Sequence, residues 1–364
     1  MNIVINAIIA YEKPRGVGRY FNNLLPWLIK LDKGDNQYYI YYGKWMESYD
    51  FLKVESPNVH FIEAKVKNNP ILRNIYQATV LAKDCKKYDP DILFLINTLA
   101  IVKKPCKLLS TIHDIMEYDF PEKYPFIQRH FRRAVVSHQA KISDRIITDS
   151  EYSKNAISNR LGIDKDNIDM IPCSVSMRDR QEIVTPDKYF LFVSETEKAK
   201  NLMGLIEAFA VLPEDVKAEY HVEVVGREGN DHSRIVQRIT ELGLVDKIVF
   251  HGYLSDEELN NMFLHAYAFV FPSFFEGFGL PVLEAMACNT PVLCSNVSSI
   301  PEVGGDAVLT FDPRDPMDLR DQMVKIVKDP ELRSRMVEEG YARACQFTEE
   351  NTARKTLDVI NSMK

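Results

Sequence analysis

The 364-residue sequence lacks the features that define several classes of protein. Its six cysteines form no Cys-x-x-Cys pair, which argues against a zinc site or a disulfide framework and favours reduced thiols in the cytosol. The longest apolar stretch, residues 92–102, is interrupted by Asn97 and Thr98 and is too short to cross a bilayer. No charged segment precedes the first apolar run, so we expect no signal peptide.

Patterns typical of metal sites and of phosphate-binding ATPases are also scarce. The sequence contains neither a Walker A pattern nor a His-Glu-x-x-His motif. An Asp-x-Asp template fits residues 89–91 and 164–166, but turns are expected at both places, so we interpret these residues as turn and capping residues. Because the eight histidines form no close cluster, we expect no metal site and no cofactor.

Charge is distributed unevenly along the chain, whose net charge is −7. Residues 1–180 contain 27 Lys and Arg against 21 Asp and Glu, a net charge of +6, whereas residues 181–364 contain 18 against 31, a net charge of −13. A basic first half suits an anionic ligand or an anionic membrane surface, although solvated charge explains any single lysine equally well. No stripe combines dense Lys and Arg with aromatic residues, so we expect no nucleic-acid partner.

Short apolar runs rich in β-branched residues alternate with amphipathic stretches. The runs that predict strands are residues 3–9, 38–42, 92–96, 108–111, 146–148, 189–193, 221–225, 248–250, 268–271 and 292–294. Near-continuous apolar runs are typical of parallel strands buried on both faces, so the alternation predicts an α/β fold with doubly wound sheets. We expect two Rossmann-like domains, residues 1–180 and 181–345, facing each other across a cleft. A C-terminal helix in residues 346–364 follows, and we consider that it packs back on the first domain.

Two loops between a predicted strand and a helix have the composition of phosphate-binding loops. In the first, Gly16 and Gly18 permit close approach of the backbone and precede a helix predicted near Arg19, whose first N–H groups favour an anion. In the second, Lys198 and Lys200 stand where they can clamp a diphosphate. The alternatives are an ordinary turn and a solvated lysine pair. No third glycine follows at the Rossmann spacing, which argues against a dinucleotide site.

The most informative segment, residues 272–291, carries two acidic residues around a predicted helix start. Two glycines form a loop after a strand, and Pro281 suits the first helical turn. Glu276 and Glu284 are eight positions apart, which in a helix is about 12 Å at 1.5 Å per residue, whereas glycosidase carboxylates are at most about 9.5 Å apart. The pair is better placed to hold hydroxyls of two parts of one ligand, such as a sugar and a ribose. Alternatively, Glu276 caps the helix and Glu284 lies on its solvated face.

At this point the chain resembles family 4 of the retaining glycosyltransferases, which have GT-B architecture. The resemblance covers nearly the whole sequence, and its most specific piece is the Glu-x7-Glu motif of residues 276–284 with the interior Gly-Phe-Gly-Leu-Pro. Shorter matches lie at residues 16–20, 111–114, 149–153, 251–259 and 299–302. Within the family, the chain looks similar to bacterial mannosyltransferase-like members that build surface polysaccharide.

The resemblance implies roles for individual residues. Glu276 would sit beside the donor sugar and Glu284 would hold the donor ribose. His113 would line the cleft at the sugar, near the incoming acceptor, so that Glu276 and His113 are the implied catalytic residues. Gly16 would lie against the diphosphate from the other domain.

Further contacts with the donor are implied by the same resemblance. The backbone N–H groups of Phe278, Gly279 and Leu280 would bind sugar hydroxyls or phosphate. Gly226 and Tyr253 lie where the family holds the base.

One position departs from the family pattern. The family usually places Arg and then Lys before the Asn of the second loop, whereas this chain has Ala199 and Lys200. The bidentate grip of an arginine on phosphate is therefore missing. Lys198 is the candidate substitute, although neighbouring residues of an extended loop point to opposite sides.

The resemblance thus implies a retaining, metal-independent hexosyltransferase. It would move a hexose, with mannose and hence GDP-mannose favoured, from a nucleotide-diphosphate donor to a glycan or lipid-linked oligosaccharide acceptor in surface polysaccharide synthesis. Basic stretches at residues 65–87 and 129–141 suit a peripheral protein at the inner face of the membrane, or they are ordinary surface helices. The alternative function is a non-catalytic GT-B partner subunit that binds nucleotide sugar, which the alanine at position 199 prompts. A GT-B phosphorylase or epimerase is a third option.

Overall fold

Strands and helices alternate along both halves of the chain, as the apolar runs predict. A computed structural model describes residues 1–13, 16–99, 101–177, 180 and 182–364. It contains two units, one formed by Met1–Ser176 together with Thr348–Lys364 and the other by Met177–Phe347. Residues 14 and 15 of the first glycine loop, and residues 178, 179 and 181 at the predicted domain boundary, lie outside the described residues.

The first unit is built on seven strands. They are β1 (Asn2–Asn6), β2 (Gln37–Tyr42), β3 (Val59–Glu63), β4 (Ile92–Leu95), β5 (Lys107–Thr111), β6 (Arg145–Thr148) and β7 (Ile168–Met170). All pair in parallel, in the order β3-β2-β1-β4-β5-β6-β7. The helices that alternate with them are α1 (Val17–Asp32), α2 (Pro70–Ile75), α3 (Leu81–Asp84), α4 (Met116–Asp119), α5 (Phe126–Ile142) and α6 (Glu151–Leu161).

The second unit repeats this plan with six strands. They are β8 (Tyr189–Val193), β9 (His221–Val225), β10 (Ile248–Gly252), β11 (Ala268–Phe271), β12 (Val292–Ser295) and β13 (Leu309–Phe311). They also pair in parallel, in the order β10-β9-β8-β11-β12-β13. The helices are α7 (Leu202–Ala210), α8 (Glu214–Glu219), α9 (His232–Glu241), α10 (Asp256–His265), α11 (Leu280–Ala287), α12 (Ile300–Gly304), α13 (Pro316–Lys328) and α14 (Pro330–Ala344).

Both sheets have the 3-2-1-4-5-6 strand order of Rossmann folds, which confirms the predicted α/β class. In each sheet the strand order reverses between the first and the fourth strand, β1 and β4 in the first unit and β8 and β11 in the second. Every residue of β4 and of β11 is buried, as expected for strands covered on both faces. Loops at the carboxyl ends of the strands diverge at such a reversal and open a crevice there.

The last helix, α15 (Glu349–Ser362), belongs to the first unit, where it packs against α1. The indole N–H of Trp27 donates to Glu349 Oε2 over 2.9 Å, and the Thr352 hydroxyl donates to the Pro172 carbonyl over 2.9 Å. Thr356 and Ile360 are fully buried. The chain therefore returns to the first unit after it has completed the second.

Among the exposed apolar side chains of the first unit, two groups lie on helices. Ile71 and Ile75 of α2 are each more than half exposed, as are Phe126, Ile127 and Phe131 in the first turns of α5. Within the described part of the chain, no helix combines the length and the apolar character that a bilayer crossing requires. Both groups contribute little to the core and lie on the surface of the unit.

We predict that Ile360→Ala destabilises the protein, because this side chain is fully buried under α15. Truncation of a buried isoleucine to alanine costs about 2–5 kcal/mol, so the midpoint of chemical unfolding should fall clearly. Lys355→Ala, on the exposed face of the same helix, is the matched control and should leave the midpoint almost unchanged. Equal midpoints for the two variants would show that α15 is not part of the cooperative core.

Candidate functional site

Two strand-end loops of the second unit meet where its strand order reverses. The loop after β8 forms a 3₁₀ turn over Lys198–Lys200, and the loop after β11 carries Glu276. Lys200 Nζ lies 2.7 and 3.0 Å from the two carboxylate oxygens of Glu276. The two side chains are 21% and 13% exposed, so the charges are largely removed from water. The structure thus brings together two of the sequence-predicted site residues.

The turn geometry alters the expectation for Lys198. In an extended loop neighbouring side chains point to opposite sides, whereas the 3₁₀ turn found here places successive side chains about 120° apart. Lys198 is exposed, and Ala199 is only 2% exposed. The Ala199 carbonyl accepts a hydrogen bond of 2.9 Å from the Phe274 N–H. Residue 199 therefore joins the two loops through its backbone, whereas the side chain of Lys198 extends to the surface.

Two serines that follow β12 hold the acidic loop in place. The Glu276 N–H donates to Ser298 Oγ over 3.1 Å. The Ser299 hydroxyl lies 2.9 Å from the Glu276 carbonyl and 3.0 Å from the Phe278 carbonyl, to which it donates. Sequence reasoning assigned these serines no function, although Ser299 belongs to one of the family-like segments. Their hydrogen bonds set the direction in which the Glu276 side chain leaves the loop.

The loop ends at Gly279, the residue that precedes helix α11. This residue has φ +108°, a backbone region that favours glycine, and α11 begins at Leu280 with Pro281 in its first turn. The N–H groups at the start of a helix have no partner within the helix and attract an anion. Phe278 packs its ring edge-on against Phe347, with ring centroids 6.0 Å apart. Glu284 lies half-buried on α11, one turn beyond the start.

Asn201 anchors the lysine turn, and sequence reasoning gave it no role of its own. Its side-chain N–H groups donate to the Pro272 carbonyl over 3.1 Å and to the Pro313 carbonyl over 2.8 Å. Its side-chain oxygen accepts from the Gly204 N–H over 3.1 Å and caps α7. Because asparagine before a helix is a typical capping residue, the cap could have been predicted from the sequence. The hydrogen bonds to the two distant carbonyls could not.

The residues expected at the base lie where β8, β9 and β10 end. Gly226 has φ +146°, and a Cβ atom on it would lie 1.9 Å from the Ser194 carbonyl oxygen. Its N–H donates to the Gly252 carbonyl over 2.8 Å. The exposed ring of Tyr253 has the Arg227 guanidinium 5.3 Å from its centroid. The backbone atoms of these strand ends are therefore closely packed, and an exposed aromatic ring lies beside them.

In the first unit, Gly16 and His113 lie at the same edge of the sheet. Gly16 precedes α1 with φ +50°, and its carbonyl accepts from the Tyr20 N–H over 3.0 Å. The Tyr20 ring meets the His113 ring edge-on at 5.1 Å. His113 Nδ1 lies 2.7 Å from Asp149 Oδ2, and Nε2 lies 3.1 Å from the Ile96 carbonyl oxygen.

These contacts change the titration of His113. Burial alone would lower the pKa of the imidazole. The charge of Asp149 and the hydrogen bonds to Asp149 and Ile96 act in the opposite direction and outweigh burial, so the pKa lies above its ordinary value. These contacts therefore favour the charged form of this histidine more than water favours that of an ordinary solvated imidazole.

Three potential metal-ligating atoms, from His113, Asp149 and Cys173, lie within 4.8 Å of one another. The 2.7 Å contact between the ring and the carboxylate is a hydrogen bond that needs a proton on the nitrogen, and the other ring nitrogen faces a carbonyl. Burial, and then the charge of Asp149, raise the pKa of the Cys173 thiol well above its usual range, so the thiol keeps its proton. The ring and the carboxylate therefore form a hydrogen-bonded pair, with the protonated thiol beside them.

Comparison with known proteins gives consistent results for both units. A family model described as "Glycosyl transferases group 1" matches residues 176–343, and one described as "Glycosyltransferase Family 4" matches residues 14–178. The chain is 31% identical over 267 residues to the O-antigen chain mannosyltransferase B of Escherichia coli, an alignment that covers 69% of each protein. It is 27% identical over 270 residues to the serotype-specific mannosyltransferase WbdA of Escherichia coli. That alignment covers 74% of this chain and 32% of WbdA, so the chain spans about a third of this relative.

Solved structures confirm the fold. Sucrose-phosphate synthase from Thermosynechococcus elongatus matches with a TM-score of 0.78 and 19% identity, over 100% of this chain and 98% of that one. The two parallel-sheet units therefore have the GT-B fold that the sequence predicts.

We predict that Gly226→Ala is strongly destabilising, because its Cβ would overlap the Ser194 carbonyl. The matched control is Gly243→Ala, where φ is also positive (+67°) but no atom lies within 4 Å of the added Cβ. The control should cost about 1–2 kcal/mol from backbone strain alone, and Gly226→Ala should cost more. Urea unfolding of both variants measures the difference, and a smaller loss for Gly226→Ala would contradict the close packing of these strand ends.

Proposed function

We propose that this chain, which belongs to the group 1 glycosyltransferases of family 4, is a retaining mannosyltransferase. It takes mannose from a nucleotide-diphosphate donor, with GDP-mannose favoured, and transfers it to a glycan or lipid-linked oligosaccharide during synthesis of surface polysaccharide. The names of the two Escherichia coli relatives, both mannosyltransferases, support the choice of sugar.

The observation that carries this proposal is the charge pair of Lys200 and Glu276 at the strand-order reversal of the second unit. A partly buried cation and a partly buried carboxylate are costly to desolvate, and a ligand that offers both an anion and hydrogen-bond donors satisfies the pair better. A nucleotide sugar has this combination, since its diphosphate is anionic and its sugar hydroxyls donate. Lys200 would then contact the diphosphate, and Glu276 would accept from the sugar.

The proposed chemistry relies on fixed positive potential. As the bond between the anomeric carbon and the phosphate oxygen breaks, negative charge develops on the leaving diphosphate. Lys200 and the N–H groups of Phe278, Gly279 and Leu280, at and just before the start of α11, stabilise that charge without moving. The departing phosphate oxygen can accept the proton of the incoming hydroxyl, so the scheme needs no separate protein base and no metal ion.

The remaining residues take the roles that the family resemblance implies. Glu284 holds the ribose, Gly226 and Tyr253 hold the base, and Lys198 makes a weaker, exposed contact with the diphosphate. In the first unit, Gly16 contacts the diphosphate and His113 contacts the sugar. The second unit is thus the donor-binding domain and the first is the acceptor-binding domain.

We predict that GDP-mannose raises the melting temperature of the protein and that EDTA does not reduce this effect. Lys200→Gln should weaken binding by roughly 10- to 100-fold, the value of a charge-assisted hydrogen bond of about 1.5–3 kcal/mol. Lys198→Gln is the matched control and should lose much less, because an exposed charge is screened by water. Glu284→Ala should lose the stabilisation by removing the ribose contact.

Transfer itself is measured with labelled GDP-mannose and a mannose-terminated oligosaccharide, with the anomeric configuration of the product read by NMR. UDP-glucose, UDP-N-acetylglucosamine, UDP-galactose and dTDP-rhamnose complete the donor panel. Binding without turnover would favour the non-catalytic partner subunit. The absence of any effect from all five donors would reject the donor site.

Membrane association is a further part of this proposal, at the cytoplasmic face, where anionic lipid and a lipid-linked acceptor are found. At 100° per residue, Phe126, Ile127 and Phe131 occupy an arc of about 140° on α5. Arg129 and Arg132 follow on the adjoining side, and the Arg129 guanidinium lies 5.5 Å from the centroid of the Phe126 ring. Exposed aromatic and aliphatic side chains beside arginines are typical of helices that lie at the surface of anionic bilayers.

We predict that the protein sediments with vesicles of phosphatidylserine and phosphatidylcholine at low salt, and much less with phosphatidylcholine alone. The double variant Phe126→Ser with Ile127→Ser should lose most of the bound fraction because it removes two of the three exposed apolar side chains of the arc. Val245→Ser, which changes an exposed apolar residue of the second unit, is the control and should bind normally. Failure of the unmodified chain to sediment would leave α5 as an ordinary surface helix.

A further inference from the structure

The side chain of His113 links three strand ends of the first unit. His113 follows β5, Asp149 follows β6 and Ile96 follows β4. The ring contacts the Asp149 carboxylate through Nδ1, at 2.7 Å, and the Ile96 carbonyl through Nε2, at 3.1 Å. The imidazole therefore spans from the end of β6 to the end of β4, the strand beside the reversal of strand order.

Both contacts require a hydrogen on the ring. An ionised carboxylate and a backbone carbonyl only accept hydrogen bonds, whereas a neutral imidazole carries a single N–H. A neutral ring would turn the lone pair of its second nitrogen toward one of these two oxygens. The doubly protonated ring satisfies both, so the geometry selects the imidazolium form.

The carboxylate of Asp149 needs this positive charge. Asp149 is 3% exposed, and its Oδ1 atom is buried without a hydrogen-bond partner. Across the residues that the structure describes, no lysine or arginine forms an ion pair with it. The other titratable groups beside it are Tyr20 on α1 and Cys173 after β7, and burial raises the pKa of both, so they remain neutral. His113 is the cation that compensates this buried charge.

The other charged groups near His113 do not change this balance. Asp114, the next residue in the chain, is a second acidic neighbour, and burial raises its pKa. Its Oδ1 accepts from the Met116 N–H over 2.9 Å, which turns it toward the backbone. Arg132 of α5 acts on Asp114 and pairs with Glu117 at 3.6 Å. The contact with Asp149 is thus the direct ion pair of the His113 ring.

We infer that Asp149 is a positioning residue that holds His113 as an imidazolium, so that a fixed positive charge faces the sugar and phosphate groups of the donor. The nature of that ligand rests on the proposed function, whereas the charge of the ring does not. A cation on the first unit would add to the stabilisation of the leaving diphosphate. Asp149 itself would touch neither substrate.

The pH dependence follows from the sign of the shift. The pKa of His113 is raised in the folded protein, so the ring is charged at lower pH and loses its charge as pH rises through that pKa. Asp149→Asn keeps the shape and one acceptor but removes the negative charge, which leaves burial to lower the pKa. The ring should then titrate about 1–3 pH units lower than in the unmodified chain.

The test is an NMR titration of the full chain with ¹⁵N-labelled histidine. The His113 signals are assigned by their absence in His113→Gln. In the unmodified protein both ring nitrogens should carry protons at pH 7, and in Asp149→Asn the midpoint should move down. Asp169→Asn, which breaks the 2.6 Å ion pair of Arg145 on the neighbouring strands, is the control and should leave the His113 midpoint in place.

Transfer kinetics separate this inference from the proposed function. In Asp149→Asn the alkaline fall of kcat should move to lower pH, with the KM for the donor little changed near pH 6. If the protein transfers mannose but His113 is neutral at pH 7, the inference is overturned while the proposed function stands. Where Asp149→Asn does not fold, the protonation state of the unmodified chain still decides. If His113 titrates as expected but no donor is used, the proposed function fails while the ionic role of Asp149 stands.

Discussion

Parallel pairing of every strand is the constraint on which both units depend. The carboxyl ends of parallel strands lie at one edge of a sheet, so loops that are far apart in sequence meet there. In the second unit this edge joins Lys200 to Glu276 across 76 positions. In the first unit it joins His113 to Asp149 and to Ile96. The candidate residues are therefore neighbours because of the strand order.

Both units pair a poorly solvated carboxylate with one cation, but the type of cation differs between them. Each places a poorly solvated carboxylate at a strand end, Glu276 in one and Asp149 in the other, and each supplies one cation to it. A lysine remains charged through the physiological range, whereas a histidine loses its charge within reach of that range. A pH-dependent step is therefore expected to originate in the first unit, whose cation is a histidine.

The sequence was sufficient for the central strands and for the edge strand β10, whose residues 248–250 were predicted, but not for the other three edge strands. Strands that are buried on both faces have continuous apolar sequences. The strands Tyr189–Val193 and Ala268–Phe271 have the predicted bounds. Val59–Glu63, Ile168–Met170 and Leu309–Phe311 were not predicted, and each lies at an edge of its sheet. An edge strand is covered less completely, so polar residues interrupt it and the apolar run disappears.

The same reasoning explains which parts of the site were visible in the sequence. Glu276 and Glu284 stand in one short segment whose glycines and proline indicate a helix start, so local chemistry was enough to select them as candidates. The contacts of Ser299 and Asn201 join segments 21 to 112 positions apart, and such pairings follow only once the strand order is known. Ala199 shows the reverse case. The sequence shows that the arginine side chain usual in the family is absent at this position. The structure shows that the carbonyl of this residue still joins the lysine turn to the acidic loop. Because a backbone bond is independent of the side chain, the arginine can be absent while the geometry around Lys200 and Glu276 is kept.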